Sequence, residues 1–264
     1  MEARHEAVGL VVALAAVICA CTPADDEELD DMEFRSDDGG VLAPSGRPGG
    51  GGWLGNGLES PNVSGVDPAY GLETPQGLSE SLGLLTDESL RGTAEYLVEC
   101  ALPLGESISK TVGGETLVFE GLLGLAPEWA DGACDEDCQE WISACLLART
   151  NVSGQAVTIW IQADHPAIGY GTPEDLVHEA SWYGNLFAGP EAQYLCKGEP
   201  GAAAKAKHEG RTCSQGQTCG FTKYGKCNKH ARCTLAGPDG DVPIDCKADD
   251  AATWHTISSY LVDE

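Results

Sequence analysis

The chain has 264 residues, enough for one or two domains, with 42% hydrophobic residues and a formal charge of -27. Such an excess of acid keeps a protein soluble and argues against direct binding of nucleic acid or anionic lipid by the molecule as a whole. Glycine (34 residues) and cysteine (12 residues) are both abundant, and the positions of the cysteines carry much of the reading.

The first element is the uncharged apolar run Ala7 to Ile18, AVGLVVALAAVI. It is shorter than the roughly 20 residues that cross a bilayer and has the length of a signal-peptide core. Ile18-Cys19-Ala20-Cys21 follows at once. An aliphatic residue, two small ones and a cysteine in this order resemble the bacterial lipobox. The resemblance implies that residues 1–20 are a signal peptide and that Cys21 becomes the lipid-bearing N-terminus, thioether-linked to diacylglycerol and N-acylated, for example with palmitate. Several acyl chains give stable attachment where one binds only marginally. Thr22, not Asp, follows Cys21. In lipoproteins of this kind that implies the outer membrane.

Residues 21–79 read as a lipidated cysteine and a disordered tether. Thr22 to Ser79 opens with the acidic block DDEELDDMEF and continues into a run of glycines after Pro48, with Arg35 and Arg47 as its only fixed cations. Few apolar residues are on hand to offset the entropy of ordering such a segment. Trp53, Leu54 and Leu58 form at most a short docking motif within it.

Residues 80–264 read as a small α+β domain of mixed helices and strands, stapled by disulfides. Thr86-Asp87-Glu88 caps and charges a helix start, and Leu90, Ala94, Leu97, Val98 and Ala101 recur at helical spacing until Pro103 and Gly105. Ser107 to Val112 and Thr116 to Gly121 flank Gly113-Gly114 as a hairpin. A second helix is expected from Cys134 to about Arg149, acidic in its first turn, with Cys134, Cys138 and Cys145 on one face to staple neighbouring elements. Gln155 to Gln162 alternates like a strand, Pro173 to about Trp182 reads as a short helix, and Thr253 to Val262 as a closing strand. The segment 196–246 holds six cysteines and few aliphatic residues, and reads as loop-rich and basic.

With Cys19 in the signal and Cys21 lipidated, ten cysteines remain: Cys100, Cys134, Cys138, Cys145, Cys196, Cys213, Cys219, Cys227, Cys233 and Cys246. An even set in an exported chain reads as a disulfide framework, whose connectivity the sequence leaves open. Cys213, Cys219, Cys227, His230 and Cys233 invite a zinc reading, but their spacing matches no common zinc signature and export favours disulfides. No metal and no cofactor is expected.

Eight of the fifteen lysines and arginines lie between Lys197 and Arg232. Lys223, Lys226, Lys229 and Arg232 are the candidate patch for an anionic polymer or envelope protein, weighed against simple compensation of the chain's own acid. Ser107-Ile108-Ser109-Lys110 has the S-x-x-K pattern of penicillin-binding enzymes without their other elements. Asp239, Asp241 and Asp245 around Gly240 fail the EF-hand spacing and suggest a turn. Glu174, Asp175, His178 and Glu179 are expected on a solvated helix face, and the aromatic block ending at Phe187 in the core.

In layout and texture the chain resembles the cysteine-rich acidic lipoproteins of large-genome Gram-negative bacteria such as myxobacteria, which implies no particular activity. The expectation is a lipid-anchored cell-envelope protein acting as a binding or structural module. An envelope hydrolase without a recognisable motif and a periplasmic metal-binding protein are the alternatives.

Overall fold

The computed structural model describes residues 51–172, 175–188, 192–198, 211–212, 220–249 and 252–262. The lipobox, Cys21, the acidic block, Cys213 and Cys219 lie outside them. Helices and strands are mixed, as an α+β domain requires. No helix among the described residues is long and apolar enough to cross a membrane.

The first described strand, β1 (Gly52–Gly55), is followed by a long connection that runs in turns to the helix α1 (Arg91–Ala101). Asp87 accepts a hydrogen bond from the Ser89 amide and so caps the short 3-10 helix Glu88–Leu90 that leads into α1, whose own N-cap position, Leu90, makes no side-chain cap bond. The hairpin β2 (Ser107–Val112) and β3 (Glu115–Glu120) turns at Gly113-Gly114, as expected. Next comes α2 (Glu136–Ala148), whose N-cap Asp135 accepts from the Cys138 amide at 3.1 Å. The remaining strands are β4 (Thr158–Gln162), β5 (Leu176–Asn185), β6 (Ala192–Lys197), β7 (Thr222–Lys226), β8 (Cys233–Ala236), β9 (Val242–Lys247) and β10 (Thr253–Val262).

The main sheet runs β1-β4-β10-β5-β6-β7, and β9 with β8 joins it along the first residues of β10. All pairings are antiparallel except β6 with β7. β10 is the hub. It pairs with β5 from Thr256 to Val262 on one side, and on the other with β9 from Thr253 to His255 and then with β4 from Ser258 to Tyr260. α2 packs on β5 and β10, and its residues from Trp141 to Ala148 are all buried. α1 lies against α2 and the hairpin, outside the sheet.

Four disulfides link eight of the described cysteines: Cys100–Cys145, Cys134–Cys138, Cys196–Cys227 and Cys233–Cys246. Cys100–Cys145 ties α1 to α2. Cys134 and Cys138 bond to each other across the first turn of α2, so they do not staple the helix to neighbours as expected.

Three expectations are corrected. The tether does not extend to residue 79. β1 pairs with β4 in register from Gly52↔Ile161 to Gly55↔Thr158, and Leu54, Leu58, Leu72 and Leu78 are buried in the main core. These leucines stand singly between glycines and turns, so no period marks them, and the glycines act where backbones meet. A Cβ at Gly77 would collide with the carbonyl of Gly71, and Gly83, with φ of 71°, sits against the Ser64 carbonyl. Second, the helix expected from Pro173 to Trp182 is not found among the described residues of that stretch. Its described part belongs to β5, which β10 and β6 sandwich, so ladder bonds on both edges override a short local pattern. Third, 196–246 is not merely loop-rich, because it contains β7, β8 and all of β9 but its last residue.

Candidate functional site

The site is built where β5, β6, β8, β9 and β10 converge. Cys196 on β6 bonds to Cys227, just past the end of β7, and Cys233 at the start of β8 bonds to Cys246 on β9. The two disulfides touch. Cys196 Sγ lies 3.5 Å from Cys233 Sγ and 3.9 Å from Cys246 Sγ. Cys196, Cys227 and Cys246 are buried, and Cys233 is the partly exposed member. Tyr183, Tyr194, Tyr224 and Trp254 pack around them as a second, smaller core apart from the main one. Burial pushes the phenol of Tyr183 above the usual tyrosine range.

A cavity of about 190 Å³ opens beside this cluster, lined among others by His178, Lys197, Cys227, Asn228, Asp241 and Tyr260. It is smaller than the roughly 300–1,000 Å³ of ordinary ligand pockets and suits a small group or one polymer side chain. His178 stacks on Tyr260 with ring centres 5.0 Å apart. Its Nε2 lies 3.0 Å from Ser181 Oγ, which contacts Ser258 Oγ at 2.7 Å. A histidine beside a serine is the start of a nucleophilic pair. Here, however, Ser181 and Ser258 are fully buried on β5 and β10, so their hydroxyls tie the two strands together while only His178 of the pair lines the cavity.

β5 carries one residue too many opposite β10. His178 pairs with Tyr260 and Ala180 with Ser259, leaving Glu179 bulged. The Glu179 carboxylate is buried, takes a hydrogen bond from Ser259 Oγ at 2.8 Å and pairs with Arg211 at 2.6 Å. Arg211 is buried too. It donates to the carbonyls of Ala148 and Thr150 at the end of α2 and lies over the Trp182 ring. The solvated helix face expected for Glu179 is thus replaced by a buried ion pair joining sheet, helix end and the segment at 211.

The basic candidates do not converge on one point. Lys223 donates to the Thr212 carbonyl at 3.3 Å, whereas Arg232 covers the Tyr224 ring at 3.8 Å and donates to the Lys247 carbonyl. Lys226, the last residue of β7, and Lys229, on the turn that follows, are both exposed. Of the proposed zinc set, Cys227 and Cys233 belong to different disulfides and His230 is exposed, in a left-handed backbone conformation with φ of 57°. Asp239 lies within, and Asp241 directly after, a turn closed by Gly240 N–H to the Gly237 carbonyl. Asp245 instead meets His255 Nδ1 at 3.3 Å, and Asp137 meets His255 Nε2 at 2.7 Å. With the His255 ring stacked 4.5 Å from Trp141, this clasp closes the start of α2 onto β9 and β10.

In S-x-x-K, β2 alternates, so Ser107 is exposed while Lys110 is buried and donates to the Thr74 carbonyl at 2.6 Å. Burial holds the Lys110 ammonium below its ordinary pKa, with Glu80 and Glu73 opposing. The two residues point to opposite faces, which removes the penicillin-binding reading. The aromatic block is core as expected, with Trp182 and Tyr183 fully buried. What the sequence concealed is the contact between two disulfides, because cysteines 31 and 13 residues apart show no sign of meeting.

Comparison with protein families, with curated proteins and with solved structures finds no match to this chain.

Proposed function

We propose that this chain is a lipid-anchored cell-envelope protein, held through Cys21 at the outer membrane, whose α+β domain works as a binding or structural module. The observation that carries the reading is the set of four disulfides, which belongs to an oxidising compartment and so agrees with export through the lipobox. Residues 22–50 are the proposed spacer between lipid and domain. A module is favoured over a hydrolase because Ser181, the serine that His178 contacts, is fully buried and is not among the residues that line the cavity. Its proposed ligand is an anionic polymer or an acidic envelope protein, met by Lys226 at the end of β7 and Lys229 on the turn that follows.

Intact mass spectrometry of the protein from native membranes tests the anchor. A lipid-modified N-terminus at Cys21, and cysteines that alkylate only after reduction, are expected. An unprocessed Met1, or several thiols free before reduction, would overturn it. Retention on a polyanionic resin tests the ligand: the double variant Lys226→Glu, Lys229→Glu should elute at lower salt, and unchanged elution would remove these residues from the interface.

A further inference from the structure

We propose that the two touching disulfides are one exchange unit, able to swap partners and pass a pair of electrons between a low-molecular-mass thiol and the pair Cys227, which borders the cavity, and Cys233. Three observations carry this. Sulfurs of different bridges lie 3.5 and 3.9 Å apart, near van der Waals contact. Cys233 is partly exposed, so a small thiol has one point of entry. Cys227 borders the cavity, beside Lys197 and His178.

Exchange proceeds by attack of a thiolate on a disulfide sulfur. An external thiolate attacks Cys233 Sγ, forming a mixed disulfide and releasing Cys246 as thiolate. That thiolate attacks Cys196 Sγ, 3.9 Å away. A Cys196–Cys246 bridge forms, the Cys196–Cys227 bond breaks, and Cys227 leaves as thiolate and takes up the proton. So far no net electrons have moved. A second external thiol resolves the mixed disulfide at Cys233. The balance is two small thiols oxidised to one small disulfide, and Cys227 and Cys233 reduced to two thiols with Cys196–Cys246 intact. Run backwards, the unit returns those electrons to a small disulfide. The surrounding tyrosines and Trp254 exclude water from the inner sulfurs and hold them together through the swap. This unit needs neither the lipid anchor nor the basic turn, so it stands or falls apart from the proposed function.

The test is partial reduction of the native protein with glutathione, acid quench, alkylation in denaturant and peptide mapping. The expected product carries Cys196–Cys246, with Cys227 alkylated and Cys233 glutathionylated or alkylated. If only Cys196–Cys227 and Cys233–Cys246 are found at every degree of reduction, the proposal fails. The variant Cys233→Ser provides an independent reading, since it leaves Cys246 unpaired beside Cys196. Cys196–Cys246 should then form in the purified protein, with Cys227 as the free thiol. Finding Cys246 free and Cys196–Cys227 intact would overturn the exchange.

Discussion

The buried pair Glu179–Arg211 offers the sharpest test of how this domain is held together. Replacing Glu179 by Gln keeps the shape but removes the charge. Arg211 would retain its bonds to the Ala148 and Thr150 carbonyls at 2.6 and 3.2 Å, yet its charge would lie buried without a counterion. Removing one partner of a buried pair costs about 3–5 kcal/mol, a large share of the roughly 5–15 kcal/mol that holds a domain folded. Hydrogen bonds from Arg211 and Ser259 to a glutamine oxygen would recover part of that, so the expected loss is about 2–4 kcal/mol. Urea denaturation followed by tryptophan fluorescence reads it directly, because Trp182 lies beneath the Arg211 guanidinium. The companion Glu179→Met, Arg211→Met should be closer to wild type than either single change, since apolar replacement of a whole buried pair is often neutral. A Glu179→Gln variant within 0.5 kcal/mol of wild type (about one third of a typical net hydrogen bond's upper value) would refute the reasoning.

The remaining expectations concern the staples, the first segment and alkaline pH. Replacing both Cys100 and Cys145 by Ser opens a separation of 45 residues and should cost about 4 kcal/mol, against about 2 kcal/mol for Cys134 and Cys138, separated by 4; denaturant midpoints of the two double variants would show the order. Leu78→Ala should cost about 2–5 kcal/mol in the same assay because Leu78 is fully buried, whereas a residue in a tether would cost nothing measurable. Burial raises the phenols of Tyr183 and Tyr260 above the tyrosine range, so above pH of about 10 the unfolded chain loses these protons while the folded one keeps them. Stability should therefore fall as pH rises, by about 1.4 kcal/mol per pH unit for each tyrosine. Lys110, whose folded pKa is lowered, acts in the opposite sense, but only below about 10.4, where the unfolded lysine still holds its proton. Tyrosinate absorbance rising together with loss of circular dichroism checks this; ionisation at ordinary pH in a folded protein would contradict it.

Local signals determined the parts of this protein that local chemistry decides. Asp87 caps the short 3-10 helix leading into α1, and Asp135 caps α2, because a side-chain oxygen can reach nearby amides whatever the rest of the chain does. Gly113-Gly114 turns the hairpin because the turn needs backbone freedom there, with φ of 60° and 90°. The closing strand, Thr253–Val262, was legible in its run of β-branched and aromatic residues. An even cysteine count behind a run that resembles a lipobox was enough to expect a disulfide framework. Tertiary structure alone decided the rest. Leu72 and Leu78 are core only because distant elements cover them, and Glu179 is buried only because Arg211, far along the chain, supplies its counter-charge. Strand pairing likewise overrode the helical pattern at β5, since ladder bonds come from β6 and β10 and not from neighbours in sequence. The meeting of Cys196 with Cys233 and Cys246 follows from β6, β9 and β10 folding over one another, a non-local arrangement that residue spacing does not encode.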